Sequence, residues 1–101
     1  MEGQVFVYVL RSDLDHELYH GITTDLEARV RKHNAGGVPS TRHRRPLGLV
    51  YYEVCESMPV ARKREEFFKS GPGHRFVKAR MELVDASRLK RPDEGGRDKS
   101  G

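Results

Sequence analysis

Val5-Phe6-Val7-Tyr8-Val9-Leu10, then after a polar turn Leu18-Tyr19-His20-Gly21-Ile22, then Thr23-Thr24-Asp25-Leu26-Glu27-Ala28-Arg29-Val30-Arg31-Lys32-His33, is the stretch on which the fold turns. The first run is apolar and rich in β-branched valine, so it reads as a strand. Arg11 to His16 carries mixed charge and reads as a loop, and Leu18 to Ile22 as a second short strand. Together they predict a hairpin with one tyrosine on each strand. Thr24 stands three residues before Glu27, the spacing of a capping box, which opens a helix. Leu26 and Val30, four apart, form its inner stripe. The helix ends near Gly36-Gly37, where glycine tolerates the left-handed conformation after a helix. Arg29 and His33 are also four apart and share one helix face. If the helix packs across the hairpin, a guanidinium, an imidazole and two phenols converge.

The remainder of the chain extends this pattern. With 101 residues it is expected to form one domain, over residues 1–84, with a modest core. Ala35 to Pro46 is a loop by its glycine, proline and serine content. Leu47 to Glu56 is strongly β-prone and apolar on both faces, which predicts a third strand at the centre of the sheet. Ser57-Met58-Pro59 opens a second helix that runs to Phe68 or Lys69 and stops before Gly71-Pro72-Gly73. A third helix is expected from about His74 to Leu83. From Asp85 the chain turns polar, and residues 85–101 are expected to form a disordered tail. The order β-β-α-β-α-α predicts an α/β (α+β) fold, a small three-stranded antiparallel sheet flanked by helices.

Composition narrows the partners. Net charge is +4, a weak pointer to polyanions. The placement of charge says more: Arg29 to Arg45 holds six Lys or Arg, two His and no acid. Cys55 is the single cysteine, so no intramolecular disulfide can form, which fits a reducing compartment. No Cys/His cluster suggests structural zinc. No signal-peptide pattern and no run near the roughly 18 apolar residues of a membrane span is visible. The expectation is a cytoplasmic protein with no membrane partner.

Each polar residue has a plain structural reading. Strand tyrosines such as Tyr8 and Tyr19 most often pack at the sheet surface. Arg29 could be a solvated helix arginine and His33 a C-terminal helix cation. Gly21 marks either a close backbone approach or a bulge. Glu65 lies four residues after Ala61 and three before Phe68, on or beside the core-facing stripe of its helix. Glu66 is turned about 100° away toward solvent. A core-side carboxylate must pair or hold a cation. Helix geometry alone favours an ion pair of Glu65 with Lys69 or Arg62 over a metal ligand.

The ordered set Tyr8, Tyr19-His20-Gly21, Thr23-Thr24-Asp25-Leu26, then Arg29 and His33-Asn34, resembles the GIY-YIG nuclease domain. The likeness covers about Val5 to Phe76 and points to short, stand-alone bacterial members of the UPF0213-like group. Val7-Tyr8-Val9 stands for the first tripeptide and Tyr19-His20-Gly21 for the second. His20 departs from the usual apolar or small residue there and is expected to face solvent. The resemblance implies a metal-dependent endonuclease that hydrolyses DNA phosphodiesters, with RNA also open. Tyr8 would be the base and Tyr19 would orient water or phosphate. Arg29 would bind the scissile phosphate, and His33 would hold phosphate or relay a proton. Glu65, in Arg64-Glu65, would hold one Mg²⁺, with Mn²⁺ as a substitute. Nearby cations would have to lower a phenol's pKa for it to act as a base. Arg42, Arg44, Arg45 and Lys69 would contact the nucleic-acid backbone. The polar residue that many members carry beyond the glutamate has no firm match; Lys69, Ser70 and His74 are the candidates. With no base-reading element visible, selection by DNA structure is expected, as in repair or recombination. The alternative is a binding module with weak or no turnover inside a larger repair complex.

Overall fold

The computed structural model describes residues 4–89, with side chains through Met81. Three strands, β1 (Val5–Ser12), β2 (Leu18–Thr23) and β3 (Leu47–Cys55), form one antiparallel sheet in the order β2-β1-β3. The helices are α1 (Leu26–Asn34), α2 (Met58–Lys69) and α3 (Gly71–Leu89), in the expected order β-β-α-β-α-α.

β1 is the central strand because it is covered on both faces. Alternate side chains point to opposite sides of a sheet. Val5, Val7 and Val9 enter a core with Ala61 and Phe68 of α2 and Val77 of α3. Tyr8 and Leu10 enter a second cluster with Leu47, against Leu26 and Val30 of α1. The expectation that β3 would be central is wrong. β3 lies at an edge, where Tyr52 is 49% and Val54 53% exposed. The reason is reach. The nine residues of α1 span about 14 Å, whereas the nine of β3 extend roughly 30 Å. α1 covers the end near Leu47 and leaves the Tyr52–Val54 end open, with Phe6 edge-on to Tyr52 at 6.1 Å.

Two helix starts differ from the sequence reading. Asp25, not Thr24, caps α1: its Oδ1 accepts from the Ala28 N–H at 3.1 Å. A short side chain bearing a full negative charge suits a helix N-terminus better than a threonine hydroxyl does. Gly36, with φ +85°, follows the end of α1, in agreement with the expected stop. Gly71-Pro72-Gly73 starts α3 rather than separating two helices. The Ser70 hydroxyl accepts from the Gly73 N–H at 3.3 Å, and proline is tolerated in a first turn. A Cβ on Gly73 would strike the Phe67 backbone, so glycine permits this tight corner. α3 continues to Leu89, beyond the expected Leu83. The rest of the polar tail lies outside the described residues.

Two hydrogen-bonded side chains hold the basic loop against this frame. Ser12 is fully buried, and its hydroxyl donates to the Arg44 carbonyl at 2.7 Å. Asn34 pairs with both backbone groups of Leu47, donating to its carbonyl at 2.9 Å and accepting from its N–H at 2.8 Å. Cys55 is a buried free thiol. Among the described residues no helix is long and apolar enough to cross a membrane.

Candidate functional site

Tyr8 and Gly21 are cross-strand partners, so their side-chain positions share a face. The Tyr8 ring lies across the space that a Cβ on Gly21 would occupy. Gly21 therefore makes room for the phenol, rather than for substrate or a helix, and the register there is regular. Tyr8 is 3% exposed, and its Oη lies 3.1 Å from His33 Nε2, with the rings edge-on at 5.8 Å. His33, in the last turn of α1, is itself buried, and its Nδ1 lies 2.8 Å from Thr41 Oγ1. Strand, helix and loop thus meet in one chain of polar atoms, Tyr8–His33–Thr41. The Leu26 and Val30 stripe seats α1 on the sheet, which turns the Arg29/His33 face toward Tyr8.

The electrostatics keep both Tyr8 and His33 uncharged. Burial raises the Tyr8 pKa; the Arg29 guanidinium beside the phenol pulls it back, and the Glu65 carboxylate pushes it up again. The net direction is upward, opposite to what a lone tyrosine base requires. Burial, Arg29 and then Lys32 lower the His33 pKa, so the ring is a neutral imidazole at pH 7. Tyr19 occupies the same sheet face as Gly21, two positions away and opposite Leu10, packed against the Tyr8–Leu10–Leu47 cluster.

Glu65 comes from α2, on the other side of the sheet. Its carboxylate is 22% exposed and 3.6 Å from Lys69 Nζ, a long contact one helical turn away. The ion pair expected from helix spacing thus forms with Lys69, and Glu66 is exposed as expected. The neighbouring Arg64 is committed elsewhere. Its Nε and Nη2 grip both oxygens of Glu53 at 2.8 Å and fasten α2 to β3.

Residues 4–73 match the GIY-YIG catalytic domain. The chain belongs to the GIY-YIG family. It is 46% identical over 67 residues to a UPF0213 protein of Streptococcus pyogenes serotype M3, which covers 65% of this chain and 72% of that one. A UPF0213 protein of Streptococcus sanguinis is 46% identical over 70 residues, 68% and 79% of the two chains. The solution NMR structure of a UPF0213 protein from Bacillus halodurans is 30% identical, covers 91% and 90% of the two chains, and superposes with a TM-score of 0.43. GIY-YIG domains are generally those of endonucleases, so a nucleic-acid substrate goes with the family.

On this GIY-YIG frame the remaining expected residues separate. Tyr8, Arg29 and His33 converge, Tyr19 lies on their sheet face, and Glu65 approaches from α2 close enough for its charge to be felt at Tyr8. Among the described residues no three His, Cys, Asp or Glu side chains group into a metal cage. A single carboxylate fits an ion that keeps its waters and takes phosphate oxygens, the habit of Mg²⁺. Arg42 and Arg45 line an open groove of about 410 Å³ with Asn34, His43 and Pro46. Arg45 also donates to the Arg42 carbonyl at 2.7 Å, and Arg44 pairs with Asp15 at 3.1 Å. Ser70 caps the start of α3.

The expectation that His20 faces solvent is wrong. It sits opposite Val9, on the side covered by α2 and α3, and its Nε2 is buried without a hydrogen-bond partner. Burial first, then Lys69, lower its pKa. Parity along β2 was readable from the sequence; that its second face is covered was not. Thr41, Ser12 and Asn34 were not singled out as site residues. Asn34 had a signal, the His33-Asn34 pair. Thr41 had none, being one hydroxyl in a polar loop.

The Gly21 packing makes a prediction. Alanine in place of glycine within a strand ordinarily stabilises by about 0.5–1 kcal/mol. Gly21→Ala is instead expected to destabilise by about 1–3 kcal/mol, because the added methyl overpacks against a ring that His33 holds in place. Denaturant melts decide the sign; a more stable Gly21→Ala protein would mean that the Tyr8 ring moves aside freely.

Proposed function

We propose that this protein is an endonuclease that hydrolyses DNA phosphodiester bonds with the help of Mg²⁺, or Mn²⁺ in its place, held at Glu65. The observation that carries the reading is the buried Tyr8 Oη···His33 Nε2 contact beside Arg29. When bound, the ion supplies Lewis-acid stabilisation of phosphate charge. The chain's own residues do the rest. Arg29 binds the scissile phosphate and offsets the charge gained as water attacks phosphorus. Tyr8 accepts a proton from that water as its own proton passes to His33 Nε2, so no free phenolate is needed. Phosphate bound at Arg29 neutralises a charge that otherwise opposes protonation of His33. The leaving oxygen takes its proton from solvent. Tyr19 orients water or phosphate from the same sheet face.

The basic loop supplies phosphate contacts through Arg42, Arg44 and Arg45, and Lys69 adds one once phosphate competes for it. Such contacts carry no base code, which favours selection by DNA structure, with branched or damaged DNA of repair and recombination as the suited class. RNA is the control substrate. The Glu65–Lys69 ion pair supports a second reading, a binding module without turnover in a larger repair complex.

The test is Mg²⁺- and Mn²⁺-dependent cleavage of labelled single-stranded, duplex, flap and four-way DNA, and of RNA, by wild type and Glu65→Ala. Metal-dependent cleavage that Glu65→Ala loses by about 100-fold or more is the expected result. Salt-sensitive binding with no cleavage of any substrate would favour the binding module.

A further inference from the structure

We infer that Thr41 is a positioning residue, whose hydroxyl holds the His33 ring in the tautomer that leaves Nε2 bare to take the Tyr8 proton. The inference rests on the endonuclease reading and deepens it. Thr41 is 1% exposed and stands eight residues beyond His33, at the head of the Arg42–Arg44 turn. Its Oγ1 lies 2.8 Å from His33 Nδ1 and 3.4 Å from the Val38 carbonyl oxygen. That carbonyl can only accept. With the hydroxyl proton turned to Val38, an oxygen lone pair faces Nδ1, which then carries the ring proton. Nε2 then has a lone pair directed at Tyr8 Oη, 3.1 Å away, and accepts the phenol O–H.

The opposite tautomer is poorer by count of partners. Nε2–H would donate to Tyr8 Oη, and the phenol's own proton would need another acceptor. Of the two charged groups that act on it, the Arg29 guanidinium can only donate, and the Glu65 carboxylate is turned to Lys69, 3.6 Å away. A buried donor would be left unpaired, the costly outcome in any hydrogen-bond network. The Val38 carbonyl would keep only the Thr41 N–H, at 3.1 Å. The loop itself is pinned, since Ser12 donates to the Arg44 carbonyl at 2.7 Å and the Arg44 N–H donates to the Thr41 carbonyl at 2.9 Å. The segment that carries the phosphate-binding arginines thereby also orients the proton acceptor.

The experiment is ¹⁵N NMR of the imidazoles in the full chain, where protonated and bare ring nitrogens resonate apart. It is run on wild type, Thr41→Ser and Thr41→Val, with kcat and KM for cleavage measured alongside. Wild type and Thr41→Ser are expected to show Nδ1–H and bare Nε2 at His33, and Thr41→Val to gain Nε2–H. Expected kcat falls roughly tenfold or more in Thr41→Val with KM unchanged, and stays within about threefold in Thr41→Ser. A wild-type His33 protonated on Nε2 overturns the inference without any variant. So does Thr41→Val with an unchanged tautomer, or a changed tautomer with unchanged kcat. Wild type that cleaves nothing overturns the endonuclease reading instead, and the ring spectra still decide for or against Thr41.

Discussion

Tyr8→Phe is expected to lower the cleavage rate by about 10²–10⁴-fold, the range spanned by general-base catalysis, while the fold survives. Phenylalanine keeps the ring over Gly21, the edge-on contact with His33 and the packing with Leu10 and Leu47. Only the hydroxyl goes. His33 Nε2 then loses its partner, at a cost of about 1–3 kcal/mol, which a melting curve measures separately from the rate. The pH profile sharpens the claim. His33 must be neutral to receive the Tyr8 proton, so the rate falls as pH drops through the His33 pKa. Burial, Arg29 and Lys32 hold that pKa below the ordinary histidine value. The acid limb therefore lies below about pH 6.5. The raised Tyr8 pKa keeps the phenol protonated through neutrality. Tyr8→Phe retaining the wild-type rate would remove Tyr8 from the chemistry and leave Tyr19 as the phenol to test.

The second large effect is on stability. Phe68→Ala is expected to destabilise by about 3–5 kcal/mol, the cost of deleting a buried aromatic ring. Phe68 is fully buried at the meeting point of both helices and the sheet. It lies 5.6 Å from Tyr51 edge-on and 6.2 Å from Phe76 in a stacked arrangement, with the Arg64 guanidinium 4.9 Å from its ring centre. These neighbours are themselves tied, because Arg64 grips Glu53 and Tyr51 donates to Glu53 at 2.7 Å. They cannot collapse to fill the hole without breaking that network. A small domain has about 5–15 kcal/mol in all, and each kcal/mol moves Tm by roughly 4–8 °C at this size. The midpoint should fall on the order of 12–40 °C by calorimetry. A fall below about 5 °C would show that α2 and α3 repack around alanine. Since Glu65 lies one turn before Phe68 on α2, a loosened α2 would also displace the carboxylate proposed to hold the metal.

Much of the architecture was legible because its signals are local. Two tyrosine-bearing strands around a polar turn, Leu26 and Val30 four apart, and Ser57-Met58-Pro59 each dictate an element through periodicity and capping within a few residues. The set Tyr8, Tyr19, Gly21, Arg29 and His33 carried the family likeness for the same reason. The misreadings were of long-range facts. Leu47 to Cys55 is apolar on both faces, which suits a central strand, yet a nine-residue α1 is too short to cover it. His20 alternates away from Tyr19, and only the packing of α2 and α3 makes that side an interior.

By itself the sequence determined the element types, their order, the family and the residues able to do chemistry, since these depend on neighbours along the chain. The tertiary structure decided which strand is central, that Gly21 is the floor under Tyr8, that Glu65 meets Lys69, and that Thr41 Oγ1 lies 2.8 Å from His33 Nδ1. Thr41 and His33 are eight residues apart and Tyr8 and His33 twenty-five. No helical or strand period links such positions; only the docking of α1 and its following loop onto β1 brings their polar atoms within hydrogen-bonding distance.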